Sequence, residues 1–230
     1  MAKKKPSACT ITSLNKDGEH YFLTLKFPKG FKFKAGQFVK LYLDSKLSSF
    51  EPFSFFSAPE EKEARFMFKP SSPFKQSLAE KKKGSKLYFE GPYGDFTILP
   101  KPSSSVLLCK GLGLIPISSI GKSLIEKRKK LEIYLLYENR DRSEVLNEER
   151  LREFDKHKRV NILMTILNER PMDWPGKVGQ ISKEMLKSFV PKPRTKDYYI
   201  CGPSTFVNRM NTLLSEMRVP KKRIKSEPWD

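Results

Sequence analysis

Two short turns carry the residue types from which chemistry can be built. In VLLCKGLGLIP (106–116), Gly111 and Gly113 stand at the end of an apolar run and at the mouth of a helical one. Glycines there let backbone amides approach a ligand, and a helix start favours negative charge such as a pyrophosphate. The segment YYICGPSTF (198–206) repeats the arrangement, with Cys201-Gly202-Pro203 after a strand and Ser204 near a helix start. Taken singly, a G-x-G is a tight turn and a cysteine is a small buried hydrophobe. As a pair at the carboxyl ends of parallel strands, the two turns outline a nucleotide crevice.

Other chemistries lack their residues. Cys9, Cys109 and Cys201 lie far apart, with no CxxC and no zinc or iron–sulfur spacing, so no metal site is expected. His20 sits in a strand and His157 in the charged run DKHKR, which leaves no basis for histidine-centred catalysis. There is no nucleophile elbow and no carboxylate pair placed for hydrolysis. Any redox reaction must use a bound organic cofactor.

The elements that position these turns fall into two regions of different period. From 9 to about 99 the chain reads as short strands: CTITSL, HYFLTLKF, GQFVKLYLD, SFFSA, ARFMFK and KLYFE. In the second of these, Tyr21, Leu23, Leu25 and Phe27 share one face. Turn residues separate the strands, which predicts an antiparallel barrel or sandwich. SPFKQSLAEKKKG (72–84) predicts a short helix with a Ser-Pro start and a glycine stop, and GPYG (91–94) a turn closing the barrel. After the Pro/Ser-rich joint LPKPSSS (99–105), apolar strands alternate with amphipathic helices, the last of them PSTFVNRMNTLLSEM. That rhythm argues for a parallel sheet covered on both faces. The expected boundary divides the chain into domains 1–100 and 101–230.

The 230 residues carry a formal charge of +19, in clusters spread along the chain. Such a surface favours acidic partners, and equally describes a solvated, self-repelling exterior. Nucleic acid is not expected, because no zinc, helix-turn-helix or RNP-like pattern accompanies the charge. The start MAKKKPSACTITS has no apolar stretch to follow its lysines, and no later run is long enough to span a bilayer. No membrane insertion and a cytoplasmic location are the expectations.

The order of motifs resembles the ferredoxin–NADP reductase superfamily over nearly the whole chain. FKAGQFVKLYL is similar to its F-x-x-G-Q-F strand, and EPFSFFSAP to its flavin motif R-P-Y-S-x-x-S-x-P. FMFKPSSPFKQSL falls at the helix that the family points at the flavin pyrophosphate. GPYGDF matches closely, KGLGLIP resembles G-G-x-G-x-x-P, CGPSTF resembles C-G-P-x-x-M, and SEPWD stands where the family ends in a glutamate followed by an aromatic. These seven motifs occur in the family's order. The resemblance implies a six-stranded antiparallel flavin-binding β-barrel followed by a parallel-sheet nucleotide-binding α/β domain.

By the same resemblance, Phe53 takes the place of the tyrosine lying along the flavin, and Ser54 offers its hydroxyl near the reactive flavin nitrogen. Pro52, Phe55, Phe68, Lys69, Phe74, Lys75 and Gln76 belong to the implied flavin site. Gly111, Gly113, Leu114, Ile115, Pro116, Gly202, Pro203 and Ser204 line the implied dinucleotide path. Cys201 is placed beside the nicotinamide C4, Glu227 belongs to the terminal catalytic motif, and Trp229 covers the flavin face. Arg140, after LEIYLLYEN, is where a ribose 2′-phosphate would reach, or is a surface arginine. LNERPMDWPGKVGQ resembles the family's W-x-G-x-x-G loop without a clear phosphate site.

Three departures stand out. Glu51 replaces the arginine that pairs with the flavin phosphate, and an acid there repels rather than attracts. Lys69 and Lys75 are the candidates to compensate. Lys110 replaces the first glycine of the nicotinamide motif, and Phe206 replaces a methionine.

The implied activity is a flavin-dependent oxidoreductase: NADH or NADPH gives a hydride to FAD (FMN being the lesser alternative), and single electrons leave to a separate acceptor. An acidic ferredoxin or flavodoxin, or an oxygenase component, suits the basic surface. The rival is a flavin-deficient reductase-like subunit with an interaction or regulatory role.

Overall fold

The computed structural model describes residues 6–128, 130–145, 151, 154, 156–168 and 171–229. It divides into two compact units, Met1–Thr97 with Ser118–Ser123, and Ile98–Ile117 with Leu124–Asp230.

The first unit is a six-stranded antiparallel sheet of β1 (Ser7–Asp17), β2 (His20–Lys26), β3 (Phe38–Tyr42), β4 (Phe50–Ser54), β5 (Ala64–Phe68) and β6 (Lys86–Tyr93). Its strand order is β4-β3-β6-β1-β2-β5. The two end strands approach where the Phe56 amide donates to the Arg65 carbonyl at 2.8 Å. Alternate side chains fill the interior: Leu23 and Leu25 of β2, Val39 and Leu41 of β3, Phe53 of β4, Phe66 and Phe68 of β5, and Leu87 and Phe89 of β6. Tyr21 and Phe27 pack against this core from the face they share with Leu23 and Leu25. Helix α1 (Pro73–Ala79) starts at Ser72, whose Oγ accepts from the Lys75 amide, and buries Phe74 and Leu78.

Two local expectations are revised here. The strand expected at SFFSA runs instead over Phe50–Ser54. The Phe55 amide then donates to Gln37 and the Phe56 amide to Arg65, so the chain crosses from one sheet edge to the other and cannot extend a single ladder. Gly91-Pro92-Tyr93, expected as a turn, lies within β6, where the pairing with β3 shifts register between Phe38 and Lys40.

The second unit is a parallel sheet ordered β10-β9-β8-β7-β11-β12. Its strands are β7 (Ser105–Lys110), β8 (Ile133–Asn139), β9 (Val160–Ile166), β10 (Lys177–Val178), β11 (Asp197–Gly202) and β12 (Ile224–Pro228). Every residue of β8 is buried, as a central strand covered on both faces requires. Helix α2 (Leu114–Lys127) follows β7. Helix α3 (Lys183–Phe189) is capped by Ser182, which accepts from the Met185 amide. Helix α4 (Ser204–Glu216) buries Phe206, Val207, Met210 and Leu214 along one stripe. Phe206, in the family's methionine position, is thus absorbed as core.

The strand β12 was not read from the sequence. The run VLNEERLREFDKH (145–157), whose sequence predicts one of the amphipathic helices of this unit, falls largely on residues outside those described. No described helix is long and apolar enough to cross a membrane.

Candidate nucleotide and flavin sites

The two glycine turns meet at the carboxyl ends of adjacent parallel strands. β7 and β11 run in register, with Cys109 opposite Cys201. A Cβ on Gly113 would stand 2.2 Å from the Cys201 carbonyl oxygen, so the backbones are pressed together and only glycine fits. Gly111 adopts a φ of +53°, and a Cβ there would meet nothing nearer than the Trp229 ring at 3.9 Å. The Trp229 amide donates to the Gly202 carbonyl at 3.0 Å, and its ring is 41% exposed, so it stands over the turns. Glu227 lies opposite Cys201 in the β11–β12 ladder. Burial raises the Cys201 thiol far above its ordinary value, with Glu227 adding in the same direction. Cys201 is therefore a neutral, apolar wall and not a thiolate. Leu114, Ile115 and Pro116 turn into the fold and are buried, whereas Pro203 and Ser204 stay half-buried at the rim.

Beside the turns lies an ionic cluster that sequence reading did not single out. Glu138 of β8 is wholly buried and accepts three contacts: Lys110 Nζ at 3.1 Å, Arg209 Nη2 at 2.6 Å and the Ile181 amide at 2.9 Å. Lys110 and Glu138 are register partners, as are Glu138 and Thr165. The signal was present, because Lys110 ends one apolar strand and Glu138 ends the next. The Asn139 amide and the Thr165 hydroxyl, at the carboxyl ends of β8 and β9, are buried without hydrogen-bond partners among the described residues. Close-packed glycine turns and free buried polar atoms at one sheet edge fit a dinucleotide. Arg140 is two-thirds exposed and already held by Asp141 and Glu144, both at 3.2 Å.

In the barrel unit the expected flavin residues separate. Phe53 is 4% exposed, its ring enclosed by Phe66, Phe68 and Phe74, so it serves the core rather than presenting an open aromatic face. Phe55, Phe68 and Phe74 are also core. Pro52 and Gln76 are exposed, and Ser54 is half-buried opposite Phe38. The structure brings together Glu51, Ser72 and Lys75: Glu51 Oε1 accepts from the Ser72 hydroxyl, and Glu51 Oε2 pairs with Lys75 Nζ at 3.1 Å. Lys69, the other candidate, is paired instead with the exposed Glu19 at 2.9 Å. Ser72 and Lys75 are donors suited to a phosphate, and Glu51 is not. A groove of about 840 Å³ beside β3 and β6, lined by Lys40, Tyr42, Glu90 and the Gly91-Pro92-Tyr93 of the GPYGDF motif, contains none of the expected flavin-contact residues.

Comparison with known proteins places this geometry. A family model described as an FAD-binding domain matches residues 8–97, and one described as an oxidoreductase NAD-binding domain matches residues 107–212. NADH-cytochrome b5 reductase 1 of Candida albicans is 29% identical over 157 residues, covering 66% of this chain and 53% of that protein. The flavohemoprotein of Bacillus subtilis is 25% identical over 228 residues, covering 94% of this chain and 55% of that protein. The chain thus spans about half the length of these two relatives. Among solved structures, the FAD/NAD-binding domain of nitric oxide dioxygenase from Vibrio cholerae superposes with a TM-score of 0.83 at 18% identity, covering 98% of this chain and 99% of that one. The ferredoxin NADP+ reductase of Neisseria gonorrhoeae, solved with FAD and NADP, gives 0.80 at 20% identity over 98% and 99%. The barrel unit thus belongs to the FAD-binding domain family and the parallel-sheet unit to the oxidoreductase NAD-binding domain family, and the chain shares the fold of the ferredoxin NADP+ reductase and nitric oxide dioxygenase structures.

Proposed function

We propose that the protein oxidises NADH or NADPH and passes the electrons through FAD to a separate acceptor protein. The observation that carries this reading is the contact of the KGLG and CGP turns, with Gly113 against the Cys201 carbonyl at the carboxyl ends of β7 and β11. FAD, when bound, accepts a hydride and releases electrons singly. In this reading Cys201 supplies an uncharged wall that keeps water from the nicotinamide. Trp229 occupies the space over Gly111 and Gly202 until a ring stacks there. Ser54 contributes a hydroxyl to the flavin edge, and Lys75 with Ser72 supplies the donors for its phosphates. Glu227 is the acidic group beside the thiol.

The charge of +19 suits an acidic acceptor such as a ferredoxin, a flavodoxin or an oxygenase component. A cytochrome b5, named by one relative, is a further candidate acceptor. Anaerobic mixing of the FAD-loaded protein with NADH or NADPH, followed at the visible flavin band, tests the reading. Bleaching by either nucleotide is expected, and none by both would sink it. The second reading, a reductase-like subunit deficient in flavin, is favoured by the closed Glu51–Ser72–Lys75 cluster.

A further inference from the structure

The carboxylate of Glu51 does what an incoming phosphate would do. It accepts the Ser72 hydroxyl with one oxygen and holds the Lys75 ammonium at 3.1 Å with the other. Glu51 and Lys75 are each about three-quarters buried, so their charges are screened less than a surface pair. The Lys75 ammonium also lies 6.0 Å from the centre of the Phe53 ring. The Glu51–Lys75 pair sums to zero charge, and Lys69 is paired with the exposed Glu19 at 2.9 Å. Pro73, which follows Ser72, has no amide hydrogen to offer in their place.

We infer that Glu51 is an internal competitor for the phosphate-binding donors of the barrel, so that FAD must displace a carboxylate to use Lys75 and Ser72. The inference rests on the FAD-binding reading of this unit and deepens it, because it sets how the cofactor is gained and lost. An anion that must be displaced weakens phosphate-bearing flavins without touching riboflavin, whose ring is the same and whose phosphate is missing.

The test is equilibrium binding of riboflavin, FMN and FAD to the flavin-stripped full chain, followed by flavin fluorescence, in the native protein and in Glu51→Gln. Glutamine keeps an acceptor for Ser72 and removes the charge. In the native protein the three flavins are expected to bind within about 5-fold of one another. Glu51→Gln is expected to tighten FMN and FAD by about 10-fold, the size of one unit charge under partial screening, and to leave riboflavin unchanged. The unchanged riboflavin affinity also reports that the variant is folded. Lys75→Met is expected to weaken FMN and FAD below riboflavin, since it leaves the acid and removes the cation. FAD bound a hundredfold more tightly than riboflavin by the native protein would overturn the inference while leaving the reductase reading intact. An unchanged or weakened FAD affinity in Glu51→Gln would do the same. Failure of all three flavins to bind either protein would overturn the reductase reading and this inference with it.

Discussion

Gly113 has no room for a side chain, because its missing Cβ would collide with backbone rather than with a movable neighbour. Gly111 needs glycine for a different reason, its φ of +53°, and has open space around it. Gly113→Ala is therefore expected to destabilise the parallel-sheet unit by about 3 kcal/mol, the upper range for overpacking a rigid contact. Gly111→Ala should cost about 1 kcal/mol of backbone strain. Denaturant unfolding of both variants checks the ranking, and equal losses would contradict the geometry. His20 supplies a pH dependence. Burial lowers its pKa from 6.5, with Lys69 acting the same way and Glu19 and Asp17 opposing, and its Nε2 is buried without a hydrogen-bond partner among the described residues. The unfolded chain therefore takes up this proton more readily than the folded one. Stability is full above the unfolded value, declines as pH falls below 6.5, and levels off once the folded His20 is protonated too. The denaturant midpoint measured from about pH 7.5 to about pH 5.5 should fall, and His20→Gln should flatten that slope.

At the scale of elements, Glu138 joins β7 through Lys110, α4 through Arg209 and the approach to α3 through the Ile181 amide. Glu138→Ala strands a buried amide and two cations, but both cations are roughly a quarter exposed and can turn to water. The expected loss is thus about 2–3 kcal/mol rather than the larger penalty of an unpaired buried charge. Lys110→Ala leaves Glu138 its other two partners and should cost under about 1 kcal/mol. Urea unfolding of the two variants measures the difference, and a costlier Lys110→Ala would show that the lysine, not the acid, organises the edge. How much of this was legible follows from what each element buries. The strands β7, β8 and β11 were plain as apolar runs, because a parallel sheet covered on both faces leaves no polar alternation. β12 escaped because Ile224–Pro228 is an edge strand whose residues are half-buried or exposed, so its sequence looks like a polar tail. The glycine turns were readable from spacing alone. The orientation of Phe53 was not, since an aromatic at a strand end serves a core or a ligand equally well in sequence. The Glu51 cluster needed the fold to bring Ser72 and Lys75, more than twenty residues later, to the end of β4.

For the molecule as a whole, the governing quantity is the charge of +19, from 45 basic against 26 acidic side chains. An excess this large sets up a long-range field that speeds encounter with an acidic partner and is screened over about 10 Å at 0.1 M salt. In the proposed reaction, the transfer from nicotinamide to flavin is different in kind, because it would occur between groups already bound and would feel little of that field. The two steps should therefore separate under salt. With the FAD-loaded protein and an acidic one-electron acceptor such as a ferredoxin, the second-order rate of acceptor reduction is expected to fall by about 10-fold or more between low and roughly 0.5 M salt. Flavin bleaching at saturating nicotinamide, measured in the same buffers, should hold constant. If acceptor reduction were equally flat, the lysines would be a solvated surface and the acceptor would be recognised by something other than charge. If both rates fell together, salt would be acting on cofactor binding, and the flavin affinities measured for Glu51→Gln would say whether the barrel is where it acts.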